Sequence, residues 1–125
     1  MRIVFRIVVP ALAMMGGVGC AASFPPPTQR MADAESAERS AREVGADAQP
    51  AAKLEVKLAD EQIAMAKTLI AGGDNKRADF VLMRARADAE LALALAREQN
   101  ALVETQKAVE QSSSTLNSIT QGARP

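Results

Sequence analysis

Two stretches of this chain place a small or apolar residue at alternating steps of four and three, and a pair of glycines stands between them. In the first, Ala52, Val56, Ala59, Ile63, Ala66 and Ile70 keep a 4-3-4-3-4 spacing. In the second, Ala78, Leu82, Ala85, Ala89, Ala92, Ala96, Gln99 and Val103 carry the same alternation through more than three heptads. That spacing keeps residues in line along one face of an α-helix. Between them, Gly72 and Gly73 can end a helix, and either Asp74 or Asn75 can cap the next one. The chain must therefore reverse at Asp74, and alanine at most seam positions lets two antiparallel axes approach closely. The expected architecture is all-α: a three-helix domain built on an antiparallel helical hairpin with a long C-terminal helix, preceded by a signal peptide.

The residues on either side of the hairpin refine this picture. A helix is expected from about Gln29 to Val44, with Thr28 as its N-cap and a thin stripe of Ala34, Ala37, Ala41 and Val44. Glu35/Arg39 and Glu38/Arg42 stand four apart on it, as supporting pairs do. Gly45 suits the position just past its end, and Pro50 suits the first turn of the second helix, about Pro50 to Ala71. Beside its main row the second helix carries Leu54, Leu58, Met65 and Leu69. Two rows imply a broad buried face and make it the expected central helix. The third helix is expected from Asn75 to about Gln111, where Ser112-Ser113-Ser114-Thr115 weakens it, leaving 112–125 as a flexible tail. With no Trp, no Tyr and only three Phe, the domain over 30–111 can bury helix seams but no deep aromatic core.

Length adds a further expectation. At about 1.5 Å per residue the second helix spans about 30 Å and the third about 55 Å, so roughly four turns of the third have no partner. The first helix either runs end to end with the second and covers them, or folds back and leaves them bare. The short connection around Ala46 to Gln49 favours folding back. Leu95, Leu102, Val109 and Leu116 recur every seven residues, and Leu102, Val109 and Leu116 then form a candidate partner-binding stripe.

The N-terminus reads as a targeting segment. Arg2 and Arg6 supply a positive start, Ile7 to Met15 a short apolar run broken by Pro10, and Gly16-Gly17-Val18-Gly19 the small residues a peptidase needs. A retained membrane anchor is the alternative, but a span needs about 20 apolar residues and this run is shorter. Cys20, the only cysteine, follows directly. The segment 1–19 with Cys20 resembles the bacterial lipoprotein signal, with cleavage between Gly19 and Cys20, although Gly17 stands where that family usually has Leu. The resemblance implies that Cys20 is the lipid-attachment residue. Acyl chains contribute about 0.8 kcal/mol per buried methylene, so several of them, palmitate-like, hold a protein firmly on a bilayer. Ala21 after the cysteine, in place of Asp, implies in the families resembled an outer-membrane location facing the periplasm. An ordinary secreted protein cut near Ala21 or Ala22 is the competing reading. Pro25-Pro26-Pro27 makes the segment 20–29 a short stiff tether.

The pattern Ala66…Ile70-Ala71-Gly72-Gly73-Asp74…Ala78…Leu82…Ala85 resembles two families. One is the tetratricopeptide repeat, of which only one hairpin is present where about three are needed. The other is the bacterial domain-of-unknown-function family 4398, which is similar over about Met31 to Gln111. It shares the lipoprotein signal, a helix, a turn with Pro, a helix ending near Gly-Asp, and a long helix with a segment like Arg86-Ala87-Asp88-Ala89-Glu90-Leu91-Ala92. Some relatives carry a peptidoglycan-binding domain after the helices, and none is expected within these residues. A trimeric rod of the major-lipoprotein kind is disfavoured by Gly45, Pro50, Gly72 and Gly73, and by an end reading Ala123-Arg124-Pro125 where that family has lysine.

Several chemistries are excluded by composition. With no His and one Cys, zinc, haem and nucleophile–base sites of the usual kinds have no residues to build them, so no catalytic residue, metal ligand or cofactor is expected. Asp60/Glu61 and Asp88/Glu90 are too close in sequence to share a helix face. Gly72-Gly73-Asp74-Asn75-Lys76 lacks the spacing of a phosphate cradle. Arg84, Arg86 and Arg97 are expected to pair locally with Asp88, Glu90 and their neighbours. Taking Arg2 and Arg6 from the 15 basic residues leaves 13 against 15 acidic, with no basic surface suited to nucleic acid. The expected role is a membrane-anchored structural or protein-interaction module of the cell envelope, with other envelope proteins as partners, no small-molecule substrate, and homo-oligomerisation left open. The alternative is a helical module that binds a peptide or a cell-wall ligand beside the alanine seam.

Overall fold

Residues 24–122 are described by a computed structural model. The expected signal peptide, with Gly19 and Cys20, lies outside the described residues, as do 123–125. Phe24 to Pro27 carry no regular structure, and Pro27 is buried. Helix α1 spans Thr28–Glu43, a single 3₁₀ turn spans Ala46–Ala48, α2 spans Pro50–Ala71 and α3 spans Asn75–Gly122. Among the described residues there is no strand.

Most of the expected boundaries are made by the expected residues. Pro50 opens α2 at its first turn, where a missing N–H costs nothing. The α2–α3 turn is a Schellman motif: Gly73 adopts φ +81°, its N–H donates to the Ile70 carbonyl at 3.0 Å, and the Asp74 N–H donates to the Leu69 carbonyl at 2.9 Å. The Asp74 carboxylate then accepts from the Arg77 N–H at 3.3 Å, so Asp74 caps α3. Gly45 plays the left-handed role after α1, with φ +88° and its N–H on the Arg42 carbonyl at 2.9 Å. Thr28 does not cap α1; it is the first helical residue, Pro27 occupies the cap position, and no side chain caps that end. The Pro27 carbonyl already accepts from the Met31 N–H at 3.0 Å, which starts the helix one residue early.

The core is two clusters stacked along the bundle. Ala34 of α1 packs with Ile63 and Ala66 of α2 and with Ala78, Leu82 and Ala85 of α3. Ala41 packs with Ala46, Ala52, Val56, Ala92 and Ala96. The order of these pairings makes α1 antiparallel to α2 and parallel to α3, so the first helix folds back. Both expected 4-3 seams are buried, from Ala52 to Ala66 in α2 and from Ala78 to Ala96 in α3. Alanine makes up most of the buried set, and Leu82 and Val56 are the largest fully buried side chains.

The central helix is α3, not α2. α3 packs against both α1 and α2, whereas α1 and α2 meet only lightly. The expected second row of α2 is accordingly not a buried face: Leu54, Leu58 and Met65 are exposed and only Leu69 is half-buried. The reason lies in α1, whose alanines seat against the α3 seam and leave a polar crevice toward α2 lined by Glu35, Glu38, Arg39, Asp60 and Lys67. Glu35 pairs across that crevice with Lys67 at 2.8 Å rather than with Arg39. Arg42 ties the three segments at its end, meeting Glu38 of α1, Asp47 of the 3₁₀ turn at 3.0 Å, and Asp60 of α2. The Glu38 hydrogen bond is the largest cause raising the Arg42 pKa above the usual guanidinium value, and Asp60 adds to it.

α3 does not end near Gln111; it continues through Ser112 to Gly122. The hydroxyls expected to compete with the helix are satisfied on it instead. Ser112 donates to the Ala108 carbonyl at 2.8 Å, Thr115 to Gln111 at 2.9 Å, and Thr120 to Leu116 at 2.9 Å. Bonds of this i−4 type keep the hydroxyls on their own helix, at a slight cost in helix stability.

Candidate interaction surface

The three-helix part ends at a polar clamp. Asn100 donates to the Val44 carbonyl at 3.0 Å, and Gln49 lies 3.4 Å from the Ala96 carbonyl and from the Asn100 side-chain oxygen. Here the chain leaving α1 turns into α2, and α3 runs on alone. Every described residue from Arg97 onward is exposed. At about 1.5 Å per residue, the stretch 101–122 projects roughly 30 Å beyond the bundle.

The projecting stretch has two unlike sides. Leu102, Val109 and Leu116 are 58%, 64% and 64% exposed, and a seven-residue repeat keeps them nearly in line on one side. Ala101, Thr105, Ala108 and Ser112 share or flank that side. The charged residues Glu104 and Lys107 fall on the other side at 100° per residue, and Glu110 stands between the two sides. Ile119, 61% exposed one turn beyond Leu116, extends the stripe past the last step of the seven-residue repeat. The inner 4-3 seam, by contrast, ends in exposed Gln99 and Val103.

At the root of the projection lies a cleft of about 480 Å³, lined by Pro50, Ala51, Leu95, Gln99 and Leu102 among others. It joins the N-terminus of α2 to the start of the exposed stripe, so Leu102 belongs to both. Leu95, the first member of the repeat, is half-buried there.

The arginines expected to pair locally divide. Arg86 pairs with Glu90 at 2.7 Å and reaches Asp33 of α1 at 3.5 Å, and the Glu90 hydrogen bond raises its pKa. Asp88 instead accepts from Gln62 of α2. Arg84 and Arg97 have no ion-pair partner among the described residues. Sequence reasoning also misses the outward face of α3 within the bundle, where Phe80, Met83 and Leu91 are exposed; their spacing is obscured by the stronger alanine seam.

Among the described residues no group of His, Cys, Asp and Glu is placed to hold a metal ion. No described helix is long and apolar enough to cross a membrane. Comparison with protein-family models, with curated proteins and with solved structures returns no match.

Proposed function

We propose that this protein is a non-enzymatic structural or protein-interaction module of the bacterial cell envelope. Cys20 carries the lipid that anchors it to the outer membrane, the domain faces the periplasm, and the projecting end of α3 engages another envelope protein. The observation that carries the interaction reading is the unpartnered side of α3 bearing Leu102, Val109 and Leu116 beyond the clamp at Asn100. A seven-residue apolar repeat with charges on the far side is what one helix offers another. The anchor reading rests on the sequence of 1–20 and on the resemblance to lipoprotein signals and to family 4398.

Photo-crosslinking from Val109 in intact envelopes tests the interaction. Discrete protein adducts from Val109, and none from Lys107 on the opposite side, support it; adducts spread equally over both sides would sink it. A second reading is favoured by the cleft between Pro50, Leu95 and Leu102, which suits a short peptide or a cell-wall fragment. Under that reading substitutions at Pro50 and Leu95 abolish capture and substitutions at Leu116 do not.

A further inference from the structure

Phe80 is one of only three phenylalanines in the chain, and it is 57% exposed. It stands on the side of α3 opposite the buried Ala78, Leu82 and Ala85, with Met83 beside it. Lys76 and Arg77 lie one turn before it and Arg84 one turn after, on the same outward side. The other cations at this end are committed: Arg30 pairs with Asp79, Lys67 with Glu35, and Arg86 with Glu90 and Asp33. Among the described residues the side chains of Lys76, Arg77 and Arg84 make no ion pair. The nearby acids are turned to other work, Asp74 to capping α3, Asp79 to Arg30, and Asp88 to Gln62. Further along the same side, Glu98 ends the basic stretch.

The chain enters the domain at this end. The Asn75 amide donates to the Phe24 carbonyl at 2.8 Å, and the Phe24 ring is itself exposed. Cys20 precedes Phe24 by four residues, a reach of at most about 14 Å when fully extended. A lipid on Cys20 would therefore hold this end of the bundle within reach of the bilayer surface, where tethering makes a weak contact effectively intramolecular.

We propose that the outward face of the first turns of α3, with Phe80 at its centre and Lys76, Arg77 and Arg84 around it, docks on an anionic lipid surface. The proposal rests on the reading of Cys20 as the anchor. An aromatic side chain seated at the boundary of headgroups and acyl chains, with unpaired cations on the phosphates, is the pattern of interfacial attachment. Soluble phosphate would not require the exposed ring, and an acidic protein would not require the nearby tether.

The test uses the full chain with Phe80→Trp, the sole tryptophan in it, reconstituted into vesicles whose acyl chains are brominated. Flotation reports the anchor, and quenching of the indole reports docking. Quenching is expected in vesicles of phosphatidylcholine with phosphatidylglycerol, and its loss is expected in phosphatidylcholine alone or in high salt. Joint Lys76→Gln, Arg77→Gln and Arg84→Gln substitution should lower the ratio of docked to undocked protein roughly a hundredfold. Arg97→Gln, an unpaired cation off this face, should leave it unchanged. Protein that floats while its indole stays water-exposed in anionic vesicles overturns the proposal, as does quenching that ignores lipid charge or responds equally to Arg97→Gln. Protein that is quenched in anionic vesicles but is stripped from them entirely by salt supports docking and sinks the anchor.

Discussion

Leu82→Ala separates the residues that hold this fold from those that are free to bind. Leu82 is fully buried in α3 and packs between Ala34 of α1 and Ile63 and Ala66 of α2. Truncation removes three carbon atoms, worth about 2.4 kcal/mol at about 0.8 kcal/mol per methylene. The cavity adds to this by an amount set by how far the neighbours relax. Ala34, Ala66, Ala78 and Ala85 have no rotamers to swing inward, whereas Ile63 and the partly buried Met31, Leu69, Ile70 and Val81 around the cluster can narrow the hole. The expected loss therefore lies within the range of about 2.7–5 kcal/mol for buried Leu→Ala changes. Total stability for about 75 packed residues is on the order of 4–11 kcal/mol, so the variant should be close to unfolding at physiological temperature. Leu102→Ala removes the same atoms from an exposed site and should cost less than about 0.5 kcal/mol. Urea unfolding followed by far-ultraviolet circular dichroism measures both. A Leu82→Ala loss below about 1 kcal/mol would refute the two-cluster core. A Leu102→Ala loss above about 1.5 kcal/mol would show that the projecting helix is packed on something within the chain.

Other outcomes follow from the same geometry. Leu102→Glu with Val109→Glu should abolish Val109-side crosslinks and leave the melting temperature within a few degrees, since Leu and Glu have similar helix propensity; a collapse of the melting temperature would contradict the exposed stripe. Gly73→Ala should cost roughly 1–2 kcal/mol. Its φ is +81° and no atom lies within 4 Å of the added Cβ, so all of that cost is backbone strain. An unchanged denaturation midpoint would contradict the left-handed turn. Cys20→Ser should abolish metabolic incorporation of labelled palmitate, and the intact mass of the membrane-extracted protein should equal 20–125 plus acyl chains; a mass without lipid would remove the anchor reading.

The helical class, the turn and the seam are legible in the amino-acid sequence alone. Alternating steps of four and three define one helix face from local geometry, and the residues from Ala78 to Ala96 are buried as that spacing requires. Gly73 and Asp74 act at the turn as their chemistry predicts, because a left-handed φ and an unpaired helix N-terminus are local problems with local solutions. The projection of α3 is also readable, since helix rise converts residue counts into lengths.

What the sequence could not decide was which neighbour each face would choose. Leu54, Leu58 and Met65 form a second apolar row beside the buried one, yet they are exposed, because burial depends on where a third helix sits. That position is set by α1, whose small alanines fit the alanine seam of α3 more closely than the leucine row of α2, and by Arg42, Glu35 and Lys67 spanning the remaining gap. The extent of α3 past Ser112 was missed for a local reason: its hydroxyls bond carbonyls on their own helix, and the helix continues to Gly122. The chain by itself determined helices and turns, because those depend on neighbours a few residues away. Only the tertiary structure decided that α3 is the hub and which apolar rows remain free, because packing partners are chosen by close fit between distant segments.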